Sequence, residues 1–329
     1  VLAMTNTWDV MVYGLLLFIW TSWLMMKDEI ESKVMVRAGL VTLGVAGLVS
    51  MGWWLNFTSI GQGVGVVEDG SLLWRMAVLW GGHAVLAVFA IRKGWLKNNL
   101  LVASMGVGAF VLILIPELVY LKDIYPTHPR ANTMFKLTYQ AMLWMSLLGG
   151  YVLAAGEKIE KTVAIVLSIC FLSFAWFAYR DFYYFKSYQG INGERWIKQE
   201  YADDWKGIEW LRENVKGRPV VLEAVGESYT KYARVSVFSG KATVLGWRVH
   251  EWLWRGGFEE VAERTEEVRV IYENTNSQEV ENILEKHQVE YIFWGEKEEE
   301  KYDVNEKAIR DLGEVVFKSG ETEVIEITD

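Results

Sequence analysis

Six stretches of nearly unbroken apolar residues constrain this chain more than any motif in it. A bilayer-crossing helix needs roughly 20 such residues, and runs of about that length lie at residues 10–26, 34–54, 72–91, 100–121, 135–155 and 162–182, the first being the shortest. A soluble helical protein would show polar faces recurring at helical spacing inside these runs, and here they are nearly absent. The sequence therefore predicts a multi-pass α-helical membrane protein with about six spans. The only cysteine, Cys170, falls inside the sixth, so no disulfide can form within the chain.

Charge divides the chain in two. Residues 1–189 carry 14 Lys and Arg against 11 Asp and Glu, whereas residues 190–329 carry 19 against 31. A shift from +3 to −12 marks a boundary, giving a membrane domain over 1–189 and a soluble domain over 190–329. Within the first, Lys27, Lys33 and Arg37, then Arg92, Lys93 and Lys97, then Lys158 and Lys161 occupy alternate connections, while residues 55–71 contain no Lys or Arg. The positive-inside bias makes those basic connections cytoplasmic. Asp9, residues 115–136 and the soluble domain are then expected on the outer face of a cell (plasma) membrane.

In the soluble domain "DDWKGIEWLRENV" reads as an amphipathic helix and "GRPVVLEAV" as a buried strand. "FEEVAERTEE" with "VRVIYEN", and "SQEVENILEKHQ" with "VEYIFWG", each read as helix then strand, and "EVVFKSGETEVIEI" as a hairpin. Helices alternating with strands predict an α/β domain with a largely parallel sheet. The run "EKEEEKYD" reads as a solvated surface, and the aromatic, basic "YRDFYYFKSYQGINGERW" as an interfacial anchor.

Ionisable groups at membrane depth are costly, so "IPELVYLKDIYPTHPRANTMFK" at 115–136 is the first candidate site. Glu117 follows Pro116, which removes a backbone donor; Asp123 lies in the loop; Pro126 and Pro129 delay the next helix until Asn132, a good N-cap. Lys136, one turn inside, opposes the helix dipole. An anion could offset it, a phosphate held by backbone N–H groups, Lys136 and Arg130. Equally, Glu117 or Asp123 could pair with Lys136 and lock two helices. Arg75 and His83 share roughly one face of the third span, where a lone His is more often a packing residue, and Asn56-Phe57-Thr58 is a glycosylation sequon close to the membrane.

The second dense cluster is "VLGWRVHEWLWRG" at 244–256. Trp247, Arg248, His250, Glu251, Trp252, Trp254 and Arg255 lack aliphatic periodicity and suit a sugar face or a lipid headgroup. His250 and Glu251 could supply acid/base chemistry. No Walker loop, GxGxxG, CxxC pair or HExxH is present, which disfavours nucleotide and zinc chemistry. No nucleic-acid partner is expected.

"NTWD" at 6–9, "PELVYLKD…RANTMFK" across 116–136, "VVLEAVGESY" at 220–229 and the 244–256 segment resemble, in order, the YYY membrane proteins of archaea and bacteria. The resemblance implies an architecture like that of the C-type glycosyltransferases, which take sugars from polyprenyl-phosphate carriers on the outer face. Arg130, Asn132 and Lys136 would then bind the donor phosphate. Glu117 or Asp123 would position a divalent metal or orient Lys136, with His250 and Glu251 as further catalytic groups. Trp247, Arg248, Arg255 and Asp9 would contact sugar or acceptor. Family members carry a long upstream half absent from this sequence, and the usual catalytic carboxylate of C-type enzymes belongs to it. The expected partners are thus the lipid bilayer, a lipid-linked sugar donor and that N-terminal half. The other reading is a non-enzymatic membrane protein whose outer domain binds glycans or partners.

Overall fold

The computed structural model describes residues 2–57, 61, 63–123, 127–182, 190–255, 257–274 and 277–328. It divides into two compact units, residues 1–188 and 189–329.

The first unit is helical. A single turn, α1 (Leu2–Thr5), precedes α2 (Thr7–Met26), α3 (Ser32–Trp54), α4 (Leu73–Leu96), α5 (Leu100–Leu118), α6 (Ala131–Ala155) and α7 (Lys158–Asp181). Five of these, α2, α3, α4, α5 and α7, are long and apolar enough to cross a membrane. The expected sixth span lies in α6, which does not meet that standard: Thr138, Tyr139, Gln140 and Ser146 dilute its apolar residues. α6 packs on α2, α4, α5 and α7, and Thr133, Leu137, Ala141, Trp144, Met145, Leu148, Gly149 and Val152 are buried at helical spacing. The opposite side is open, with Tyr139 52% exposed, and the hydroxyls of Thr138 and Ser146 are satisfied within the helix by Met134 O at 2.7 Å and Met142 O at 2.8 Å. α3 is the opposite case, apolar beyond Arg37 apart from Thr42 and Ser50, and with Ser50 its one buried residue.

α4 and α5 approach closely because their shared face is small. Ala87, Ala90, Ala103 and Ala109 are fully buried, and a Cβ on Gly106 would overlap the Ile91 side chain. The helices alternate in direction. At one end Lys27 donates to Asn98 Oδ1 at 2.5 Å, Asn98 donates to Glu29 at 2.8 Å, and Lys93 lies 3.3 Å from both Glu157 and Glu160. This is the end of the basic connections. At the other end β1 (Val64–Val66) pairs antiparallel with β2 (Val119–Leu121), the direct continuation of α5.

The second unit holds α8 (Arg195–Glu200), α9 (Ala202–Asn214), β3 (Val220–Leu222), α10 (Arg234–Ser239), α11 (Arg248–Arg255), α12 (Glu259–Glu273), α13 (Ser277–His287), β4 (Val289–Trp294), α14 (Glu296–Lys301), α15 (Glu306–Arg310), β5 (Gly313–Ser319) and β6 (Thr322–Ile327). The sheet order is β3-β4-β6-β5. Only β3 and β4 run parallel; β4–β6 and β5–β6 are antiparallel, so the sheet is mixed rather than largely parallel. The expected strand "VRVIYEN" is instead the second half of α12. Val261, Val268, Ile271 and Tyr272 fall on one helical face and are buried, and that burial outweighs the β propensity of the branched residues. The β5–β6 hairpin forms as read, with Gly320 at φ +55° in its turn.

A buried charged network ties this unit together. Arg234 Nε donates to Asp204 at 2.8 Å, and Nη2 to Glu298 at 2.7 Å. Glu298 also accepts from the backbone N–H groups of Ala224 and Gly295, and Asp204 from Thr322 Oγ1. All three charged groups are buried. Burial alone would lower the pKa of Arg234, but the Glu298 and Asp204 carboxylates raise it. The run read as a solvated surface therefore contributes a core residue. α14 starts just past the end of β4, and Glu298, at its third helical position, turns back to the N–H of Gly295.

Glu223 is a further buried acid beside this network, accepting from Val235 N at 2.8 Å and Ser236 N at 2.9 Å. Burial raises its pKa above 4.5, against the opposing pull of those N–H groups and of Arg234. A carboxyl whose folded pKa lies above its unfolded value contributes full stability below the unfolded pKa, and loses it as pH rises through the folded one. The thermal midpoint of the second unit should therefore carry a component that falls with rising pH above 4.5 and is absent in Glu223→Gln. Parallel pH profiles for the two proteins would contradict this.

Candidate functional site

Two clusters collect the residues singled out in the sequence, one in each unit. In the first, Pro116 withholds an N–H near the end of α5 and the helix stops at Leu118. Glu117 is thereby set in the last turn, where its Oε2 accepts from Ser71 N at 2.6 Å and from Arg130 Nη1 at 2.7 Å. Its Oε1 accepts from Ser71 Oγ at 2.9 Å, and Arg130 Nη2 donates to the same hydroxyl at 3.2 Å. One carboxylate thus fastens the approach to α4, the end of α5 and the start of α6. Breaking such a partly buried pair from one side strands the other charge, so Glu117 is engaged structurally as well as being a proposed catalytic group.

Arg130, not Asn132, occupies the N-cap of α6, and no side chain caps that end. Asn132 lies in the first turn, half-buried. The helix starts at Ala131 because the Glu117 contact already fixes Arg130 at the boundary. Thr133 Oγ1 accepts from Leu121 N at 3.0 Å and seats β2 on α6.

Lys136 takes neither of the acids considered for it. Glu117 is held by Arg130, and among the described residues no carboxylate lies within 4.0 Å of the Lys136 ammonium. Its Nζ sits 5.6 Å from the centroid of the Trp8 ring, on the first turn of α2. Asp9, the next residue, is half-buried in that same turn. Asp123 follows β2 and takes no part in the Glu117–Arg130–Ser71 set. His83 stacks on Phe171 at 4.0 Å and Arg75 lies over Trp74, both as packing partners.

In the second unit, Trp247 donates its indole N–H to Tyr232 O at 2.8 Å, and Arg248 Nη1 meets Glu227 at 2.9 Å. His250 lies 5.5 Å from the Trp247 ring and 5.1 Å from Tyr229, edge to face in both cases. Glu251 belongs to the same turn of α11, its N–H bonded to Trp247 O at 3.0 Å. Trp252 packs against the core and meets Phe258 edge-on. The side chains of Trp254 and Arg255 lie outside the described residues, as do Thr58 of the sequon, Pro126 and residues 183–189 of the aromatic anchor segment.

No group of three or more His, Cys, Asp or Glu able to hold a metal ion occurs among the described residues. Ser71, Trp8, Glu227, Tyr229 and the buried Arg234 network were not legible as site or core residues. Ser71 reaches Glu117 across 46 positions, and no local signal marks that pairing.

Residues 83–145 match a family described as "Uncharacterized membrane protein (DUF2298)". No curated protein matches the chain. The matched stretch runs from the middle of α4 through α5 into α6 and contains Glu117, Arg130 and Lys136, so the likeness to that membrane family falls on the helices that build the first cluster.

Proposed function

We propose that this chain is part of an integral membrane glycosyltransferase that uses a polyprenyl-phosphate-linked sugar, and that the Glu117 end of its bundle faces the extracytoplasmic side. In this reading Lys136, with Asn132 and the N–H groups of the first turn of α6, holds the donor phosphate. Arg130 contributes from the cap, with Nη1 committed to Glu117 and Nη2 to Ser71. The observation that carries the reading is the Lys136 ammonium itself. A cation one turn inside a helix N-terminus opposes the macrodipole, and among the described residues it has no carboxylate partner to offset that cost. An anionic headgroup arriving through the lipid supplies the missing charge.

Asp9, Trp247, Arg248 and Arg255 remain proposed contacts for sugar or acceptor, and Asp123, His250 and Glu251 proposed acid/base groups. Displacing a lipid phosphate also requires a base for the acceptor and charge neutralisation for the leaving group. The closure of Glu117 by Arg130 and Ser71 favours a second reading, in which the protein binds the carrier without turning it over. Full-length protein supplied with a lipid-linked sugar separates the two. Glycosylated product, lost in Lys136→Ala, supports the enzyme; carrier binding without product supports the second reading.

A further inference from the structure

We propose that the loop after β3 and the first turn of α11 form a binding platform for a neutral glycan. The inference rests on the sugar-or-acceptor part of the reading above and deepens it by naming the ligand class and the residues that set the platform.

The platform is built on a constrained backbone. A Cβ on Gly226 would overlap the Tyr232 ring, so the chain passes there only with glycine. Three residues on, Tyr229 has φ +61°, a left-handed conformation uncommon for a bulky residue. The cost of that conformation is not recovered by burial, because Tyr229 is 83% exposed. A large aromatic ring held out at a strained position points to a ligand-facing role.

The exposed ring does not stand alone. Its centroid lies 5.4 Å from Trp247 and 5.1 Å from His250, giving three mutually contacting rings of which Tyr229 is the outermost. Trp247 is fixed in orientation by its bond to Tyr232 O. Beside it the Arg248–Glu227 pair presents a donor fork and an acceptor that neutralise each other. Among the described residues Arg248 Nε and Ser228 Oγ are buried without hydrogen-bond partners. Aromatic faces that stack on the C–H face of a pyranose, flanked by a charge-neutral donor and acceptor pair, match the chemistry of an uncharged sugar. The loop begins just beyond the carboxyl end of β3, one strand of the parallel pair, the edge where α/β sheets commonly place ligands.

A membrane headgroup fits less well. Trp247 has spent its N–H inside the protein, and the Arg248 guanidinium is already paired with Glu227 at 2.9 Å in place of a lipid phosphate.

The test uses the full chain in detergent micelles with tri- and tetrasaccharides of glucose, mannose, galactose and N-acetylglucosamine, read by saturation-transfer NMR and calorimetric titration. Tyr229→Gly removes the ring while suiting the positive φ, so folding is retained; Tyr229→Phe keeps the ring. The expected result is binding of at least one oligosaccharide, weakened at least tenfold in Tyr229→Gly and within about threefold of wild type in Tyr229→Phe. Absence of binding to every probe, equal binding by Tyr229→Gly, or a Tyr229-dependent association with anionic vesicles in place of sugar would each overturn the proposal. Titration of the wild-type chain with polyprenyl phosphate beside the sugars tells the two readings apart, since failure of that ligand alone leaves the sugar result standing.

Discussion

Replacing Arg234 by Met should cost the second unit about 3–5 kcal/mol, the range for removing one partner from a buried ion pair. The guanidinium bridges Asp204 and Glu298, both buried, and its loss leaves two carboxylates without their counter-charge. Those carboxylates also hold the end of β3 through Ala224 N, the start of α14 through Gly295 N and the start of β6 through Thr322. Their protonation or outward movement would therefore loosen several elements together. Amide hydrogen exchange on the intact chain checks this. Protection in α9, β4 and β6 should fall by about two to three orders of magnitude, with the helices of the first unit unaffected. A triple variant with Asp204→Asn and Glu298→Gln should recover part of the loss, because no buried charge is then left unpaired. Unchanged protection in Arg234→Met would show that the network does not hold the unit together.

This network also marks the limit of what the sequence reveals. Its members lie at positions 204, 223, 234 and 298, and each has an innocuous local reading: helix N-terminus, strand end, loop or charged surface. Only tertiary contact makes them a core. The hydrophobic patterns, by contrast, were informative. The apolar runs of α2, α3, α4, α5 and α7 appear as helices with the expected membrane-spanning character, and β3, β4 and the hairpin fall where alternation and turn residues put them. The errors have physical causes. "VRVIYE" forms helix because its apolar residues also satisfy a 3.6-residue face, and the sheet is mixed because the hairpin strand β6, not a third crossover strand, lies beside β4. At the first cluster the sequence identified Glu117, Arg130 and Lys136 as a group and left open whether Lys136 meets an acid or an anion; it did not foresee the Glu117–Arg130 pair. The choice between Arg130 and Lys136 as partner of Glu117 depends on Ser71, which approaches from a different connection.

Lys136→Glu should weaken binding of a polyprenyl phosphate by about 10- to 100-fold, the equivalent of one charge-assisted hydrogen bond at about 1.5–3 kcal/mol. Lys136 makes no ion pair among the described residues, and its noted contact is the Trp8 ring, so the change removes no structural bridge. Lys136→Arg keeps the charge and should stay within about threefold of wild type. Arg130→Ala is a poorer probe, because it releases Glu117 and disturbs three helix ends at once. Titration of the full chain in nanodiscs with polyprenyl phosphate, at fixed ionic strength, provides the comparison.

The most direct measurement is to map where the carrier lies. A polyprenyl phosphate bearing a photoreactive diazirine on the isoprene next to the phosphate, bound to the full chain and irradiated, should label the first turns of α2 and α6 around Trp8 and Lys136, with labelling suppressed by unlabelled carrier and in Lys136→Glu. Labelling confined to the opposite end of the bundle near Lys93 and Glu160, or labelling of α2 and α6 that is unaltered in Lys136→Glu, would contradict a headgroup site at Lys136.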